Sequence, residues 1–466
     1  MSKSKINFFK FSFNFWLFIF LALLLAFGAK TQIYYVDYST NQFFTVIDEA
    51  VNFEAAINFV FKGIPYITNI DSEEIGRYGL KYSKFPPIMQ LYLKAVYLPL
   101  QVVISDKILL NKIIIIFGAT TNIIITALIG VIMFNTFLNL KLAYIDALKL
   151  TVLFIFGSPL LLYSRLYFTQ PAFILANAII VYSFSLFVKF KIFEMNINQE
   201  KKDKFMNYQI FAGFGVGGGL ALLAREEGII VAAILSLFLL IFFFRKKISI
   251  NQILIFIIFL CIALLINAYY DYLRWGEIWD TAKFIKGHPQ VSQPFKSPFL
   301  LFFSLEKGIF IYSPFLLFFL GFFIIADKRF ISEKLFIGFF IFILFLFYSA
   351  NGAYYGGESF GPRLLIIVLP FLMYALAIAY KKIRKNNFLR LVFAIVCILS
   401  VLNNFIVWVC DYYSNLNLIQ HRDQLIFDFY RLYFTRFIEN FEKSNILSMI
   451  SNFSYLYNPR NQFFEN

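Results

Sequence analysis

Two adjacent carboxylates, Asp48 and Glu49, and three cations that each begin or end an apolar run, Lys84, Arg225 and Arg363, are the residues best suited to chemistry. A carboxylate in a cleft can act as a general base toward a hydroxyl, contributing about 10²–10⁴ in rate. Neighbouring residues on a helix point roughly 100° apart, so Asp48 and Glu49 cannot aim at the same atom. One would act and the other would position. Arginine beside a helix N-terminus suits a phosphate, and Arg363 follows Gly361-Pro362 at an expected helix start. Each feature also has a plainer reading. Acids are favoured at the start of a helix, here one beginning near Ala50, and an arginine at the end of a membrane span ordinarily snorkels to the interface.

Whether these groups can meet depends on the elements that carry them. The chain has 466 residues, of which 60% are hydrophobic and 15% charged, with a mean hydropathy of +0.72. Soluble domains carry about 25% charged residues, so the composition points to a multi-pass membrane protein. Apolar runs such as IFIIFLCIALLI do not alternate as membrane barrel strands do. The expected fold class is therefore an all-α polytopic membrane protein, with one membrane domain over residues 1–410. The net charge of +15 sits in short clusters between apolar runs, the pattern of cytoplasmic loops facing anionic lipid and not of a nucleic-acid-binding surface. Cys261, Cys397 and Cys410 show no paired spacing and imply neither a disulfide framework nor a zinc motif.

Lys3, Lys5 and Lys10 precede the first apolar run, residues 11–29. Ala26-Phe27-Gly28 could pass for a signal-peptidase site, but the length and aromatic content of the run favour an uncleaved span with its N-terminus in the cytoplasm. A long polar interval follows, forming a first outer loop over residues 30–112. If the apolar stretch 88–104 within it crossed the bilayer, the later basic clusters would fall outside, against the positive-inside rule. If that stretch instead lies on the surface as an interfacial helix, about eleven spans alternate correctly. The expected spans after the first cover 113–137, 144–163, 172–190, 208–224, 228–244, 250–270, 309–326, 335–348, 364–380 and 391–409. Residues 411–466 form an extracytoplasmic tail with amphipathic character. On this topology the acids and arginines share one outer membrane face, although they are scattered along the chain.

Several motifs then resemble those of C-type (GT-C) membrane glycosyltransferases, a group that includes protein O-mannosyltransferases and lipid A aminoarabinose transferases. They are Asp48-Glu49 followed by AAINFVFKG with Gly63; YSKFPP ahead of the surface helix; GSPLLLYSRLYFTQP and GGGLALLAREEG; and GIFIYSP followed by YYGGESFGPRLLIIVLPFL. The resemblance implies a GT-C fold whose long first extracytoplasmic loop carries juxtamembrane helices. It implies Asp48 as the base toward an acceptor hydroxyl, with Glu49 beside it. Lys84, Arg225 and Arg363 would bind the lipid phosphate, with Tyr82, Glu226 and Ser359 as further substrate-binding positions. One departure stands out: Gln170 occupies the place before the proline where relatives often have an acid. No cofactor is required by the motifs. With only His288 and His421 a histidine-rich metal site is not expected, although carboxylates could hold a divalent ion.

The implied partners are a polyprenyl-phosphate-linked sugar donor, a cell-envelope glycan, lipid or protein acceptor, and membrane lipids. The leaving group is a phosphate, already anionic, so a single carboxylate base suffices and direct displacement inverts the anomeric centre; an alkoxide leaving group would need a second carboxyl. The alternative is a transporter or flippase of a lipid-linked saccharide, which would grip phosphate with the same cations and do no chemistry. The expected location is the plasma (inner) membrane, with the active site extracytoplasmic. Impermeant thiol labelling of single cysteines introduced at Glu49 and Glu226 in whole cells, with the three native cysteines replaced, is expected to modify both; labelling of only one would break the common face.

Overall fold

A computed structural model describes residues 3–26, 47–67, 75–83, 85–190, 204–278, 296–304, 307–325, 330–350 and 361–409. The membrane domain is built from α-helices. Its only described sheet is a two-stranded antiparallel pair, Tyr66–Ile67 with Lys81–Tyr82. In chain order the helices are α1 (Lys3–Ala26), α2 (Ile47–Lys62), α3 (Ile88–Val103), α4 (Lys107–Asn139), α5 (Tyr144–Phe156), α6 (Leu160–Tyr163), α7 (Gln170–Lys189), α8 (Lys204–Ala224), α9 (Gly228–Phe244) and α10 (Ile250–Trp275). They continue with α11 (Lys296–Phe303), α12 (Ile309–Tyr312), α13 (Leu320–Ile325), α14 (Ile331–Ala350), α15 (Leu369–Ile383) and α16 (Asn387–Val409). Among the described residues, 6 helices are long and apolar enough to cross a bilayer, and α1, α8 and α9 contribute shorter apolar helices. The protein is an all-α polytopic membrane protein.

Several expected boundaries shift. The helix bearing the acids starts at Ile47, so Asp48 and Glu49 lie within its first turn instead of preceding it. The span expected over 144–163 is interrupted at Gly157-Ser158-Pro159, where α5 gives way to the short α6. That expected over 309–326 is broken further, into α12, a 3₁₀ segment at Pro314–Phe319 and α13, because Pro314 supplies no N–H donor. Lys84, Ser359 and the tail 411–466 lie outside the described residues.

Contacts at the two ends of the bundle distinguish a basic end from an opposite one. At one end, where α4, α7 and α15 finish and α5 begins, Lys189 Nζ donates to Asn139 Oδ1 at 3.0 Å and Asn139 Nδ2 to Ser185 Oγ at 3.0 Å. Arg384 pairs there with Asp146, Tyr380 OH donates to Asp146 Oδ1 at 3.4 Å, and Lys381 Nζ donates to the Leu140 carbonyl. This is the lysine- and arginine-rich end. At the opposite end α3 packs on the terminal turns of other helices. Ile88 and Leu91 meet Leu222 and Leu223 of α8, Met89 and Leu93 share a cluster with Leu110 and Ile114 of α4, and Tyr167 OH donates to Met89 O at 3.2 Å. Lys94 Nζ donates to Val60 O at 2.7 Å, satisfying a carbonyl in the last turn of α2.

Helix α8 is wedged between α7 and α10 by its glycines. A Cβ on Gly217 would stand 2.9 Å from the Ala176 carbonyl of α7, and one on Gly215 would stand 2.9 Å from the Phe256 carbonyl of α10. Small residues of this kind let helix backbones approach where no hydrophobic force drives them together. The consequence is positional: Arg225, one residue past the end of α8, arrives beside the start of α7. Gly217→Ala should force that contact apart and lower stability by about 1–3 kcal/mol, visible as a reduced melting temperature in detergent; an unchanged value would mean that the α7–α8 approach is loose.

Candidate active site

The turn between α6 and α7 is buried throughout, and its shape is set from α4. Asn122 Nδ2 donates to Phe168 O at 2.8 Å and also to Leu166 O, fixing two carbonyls of a segment that belongs to no helix. Helix α7 then starts at Gln170, with Pro171 at its first turn, where a missing N–H costs nothing. With its amide oxygen turned toward the cations, Gln170 accepts from Arg225 Nη1 at 2.9 Å and from Arg363 Nε at 2.8 Å. Gln170 is fully buried and Arg363 nearly so. The Arg363 guanidinium stacks 4.2 Å from the centre of the Phe168 ring, a favourable arrangement for a cation over an aromatic face.

Arg225 is held from its other side by Glu227. Its Nε donates to Oε2 at 3.0 Å and its Nη2 to Oε1 at 2.8 Å, a bidentate pair across the α8–α9 turn. Burial pushes the Glu227 carboxyl up, but the Arg225 charge and its hydrogen bonds together outweigh it and hold the group below the ordinary carboxylate range. Tyr348, at the end of α14 and fully buried, lies beside the pair. The N-terminal ends of α7 and α9 and the 3₁₀ turn Leu365–Val368 all open near these arginines, adding the positive ends of backbone dipoles.

The late motifs assemble on the same end. Gly361 has φ +59, in the region that favours glycine, and a Cβ there would lie 3.3 Å from the Tyr312 ring. Asn404 of α16 donates to Tyr312 O at 2.8 Å and to Gly157 O at 3.1 Å. Thus GIFIYSP and the GSP break are tied together by one buried amide, and GPR packs against the same tyrosine through Gly361. Ser313 Oγ, Ser349 Oγ, Asn122 Oδ1 and Asn404 Oδ1 are buried polar atoms without a hydrogen-bond partner at this end, and such atoms suit a place where a polar ligand is received.

The other candidate positions fall as follows. Arg225 and Arg363 meet on Gln170. Glu226 sits on the surface of the turn, and its neighbour Glu227, not Glu226, makes the ion pair with Arg225. Tyr82 is anchored elsewhere: its hydroxyl donates to Arg77 O at 3.0 Å and its ring packs 5.7 Å from Trp275. The strand it belongs to is strapped to α10 by Arg274, which donates to the Ser83 carbonyl and pairs with Asp271. Asp48 and Glu49 open α2, whose Phe53 packs edge-on against Tyr167 at 5.2 Å, three residues before Gln170. Gly63, with φ +77, closes that helix. No three His, Cys, Asp or Glu side chains gather among the described residues. Only the departure at position 170 had marked Gln170 in advance, and nothing local had marked Tyr348 or Phe168.

No protein-family model matches the chain, and no curated protein matches it by sequence. Solved structures do. ArnT from Cupriavidus metallidurans in the apo state superposes with a TM-score of 0.51 at 13% identity, covering 89% of this chain and 67% of that one. ArnT from the same organism bound to undecaprenyl phosphate gives a TM-score of 0.48 at 13% identity over 86% of this chain and 71% of that one. The chain has the GT-C-type fold that its motifs imply.

Because the folded Glu227 carboxyl titrates below its unfolded value of about 4.3, the ion pair stabilises the protein fully above that value. Its contribution disappears as pH falls through the lower folded value. Glu227→Gln should therefore melt below the wild type at neutral pH and converge with it in acid; a gap independent of pH would show that the carboxylate charge contributes nothing.

Proposed function

We propose that the protein is a membrane glycosyltransferase that moves a sugar from a polyprenyl-phosphate-linked donor to a hydroxyl of a cell-envelope acceptor at the outer leaflet. The observation that carries this is the meeting of Arg225 and Arg363 on one amide oxygen. Two guanidinium groups from positions far apart in sequence, backed by helix N-termini, form a cationic point at the end of an apolar bundle. That is what an anionic headgroup on a hydrocarbon tail requires. The GT-C fold and the motif order support the same reading, with Lys84 and Ser359 as additional headgroup contacts.

Asp48 serves as the general base, and Glu49, next to it in the first turn of α2, positions it. Asp48 takes the proton of the acceptor hydroxyl as its oxygen bonds to the anomeric carbon from the face opposite the phosphate. The bond from carbon to phosphate oxygen breaks, the electron pair leaves on the polyprenyl phosphate, and the configuration inverts. The growing charge on the phosphate is met by Arg225 and Arg363, a preorganised electrostatic contribution of the kind that dominates many catalysed transfers. Deprotonation at Asp48 and stabilisation at the arginines are separable, and so are their tests.

Asp48→Asn should abolish release of free polyprenyl phosphate from a labelled donor pool while leaving donor binding within a few-fold of wild type. Arg225→Ala and Arg363→Ala should instead weaken binding of undecaprenyl phosphate. Normal turnover by Asp48→Asn would remove the base assignment, and a wild-type protein that translocates the donor without releasing polyprenyl phosphate would make it a transporter.

A further inference from the structure

We infer that Gln170 is a positioning residue whose lack of charge sets the anion affinity of the site. This inference rests on the donor reading above. Its amide oxygen is the single atom on which Arg225 Nη1, at 2.9 Å, and Arg363 Nε, at 2.8 Å, converge. Like charges this close repel, and a shared acceptor offsets that repulsion best when it is itself immobile. Gln170 meets that condition: it is fully buried, its backbone opens α7 next to Pro171, and the preceding turn is pinned by Asn122 through Phe168 O at 2.8 Å.

The charge of the bridging group then matters more than its shape. Arg225, Arg363 and Glu227 together carry one net positive charge, with Glu226 acting on Arg225 from the exposed side of the same turn, and an amide at position 170 leaves that balance unchanged. A carboxylate of the same size would accept the same two hydrogen bonds, made stronger by charge, and would bring the sum to zero. It would also stay ionised at neutral pH, since it would stand at a helix N-terminus between two arginines. Tighter arginines and a weaker anion site would come together. Neutrality at this position thus trades ion-pair strength for affinity toward a phosphate.

The test uses full-length protein in detergent and three forms: wild type, Gln170→Glu and Gln170→Ala. Undecaprenyl phosphate binding is measured by calorimetry at pH 7.5 and pH 5, and melting temperature is measured without ligand. Gln170→Glu is expected to melt at or above the wild type yet bind the lipid at least about tenfold more weakly at pH 7.5. At pH 5 Gln170→Glu should still bind more weakly than the wild type, because two arginines and a helix N-terminus keep the new carboxylate ionised there as well. Gln170→Ala is expected to melt lower, because the two guanidinium groups lose their common acceptor. Equal lipid affinity for Gln170→Glu and wild type would overturn the charge argument, and an unchanged melting temperature for Gln170→Ala would overturn the bridge. A wild-type protein that binds no undecaprenyl phosphate would instead overturn the donor reading, and the bridge would then be judged on the ligand-free melting series alone.

Discussion

Two guanidinium groups share one amide oxygen at the end of an apolar helical bundle, and the rest of the described architecture is arranged so that they can. Removing a guanidinium from water costs several kcal/mol, and bringing a second like charge beside it adds repulsion. Arg225 offsets its cost with two hydrogen bonds to Glu227, and Arg363 with the face of Phe168. Neither compensation aligns one arginine with the other. That alignment comes from Gln170, and so from everything that fixes where α7 begins relative to α8 and to the chain entering α15.

Three kinds of local sequence do the fixing. Glycines on α8 set its distance from α7 and α10, which decides where Arg225 emerges. Buried amides act across elements: Asn122 shapes the turn before α7, Asn404 joins the GSP break to GIFIYSP, and Asn177 donates to Ile367 O at 2.8 Å, linking α7 to the 3₁₀ turn just after Arg363. In a membrane domain such bonds have modest individual strength, on the order of 1 kcal/mol. Their value is directional, since apolar packing alone would let the helices slide. At the far end the Asp146–Arg384 pair and the Lys189–Asn139–Ser185 chain hold the other ends of the same helices, so that a shift at the site would have to break contacts at both ends.

Fold class and the sorting of polar motifs were legible in the sequence because hydropathy and the placement of lysine and arginine report directly on the membrane. The runs that became α7, α9 and α10 needed little else. The meeting of Arg225 and Arg363 could be expected only as a shared face, since contact between residues 225 and 363 depends on glycine-controlled helix spacing that no local pattern encodes. Glu227 was overlooked in favour of Glu226 because two adjacent acids after an arginine look alike until the α8–α9 turn points one inward and the other to the surface. The breaks within the runs at 144–163 and 309–326 were missed for a related reason: continuous hydropathy does not distinguish a straight helix from one interrupted at proline.

Those interruptions have their own logic. Backbone that leaves helical geometry inside a membrane domain must find hydrogen bonds in the protein, because lipid offers none. The irregular stretches meet that demand: the carbonyls of Leu166 and Phe168 are taken by Asn122, those of Gly157 and Tyr312 by Asn404, and that of Ile367 by Asn177. A continuous helix would have satisfied these groups without any of the asparagines. Keeping the breaks requires keeping the amides, and what the breaks achieve in return is to point Gln170, Arg363 and Tyr312 toward one end of the bundle, where a straight helix would have carried each of them past it. The irregular backbone is therefore part of how the cationic point is built, in the same sense as the arginines that occupy it.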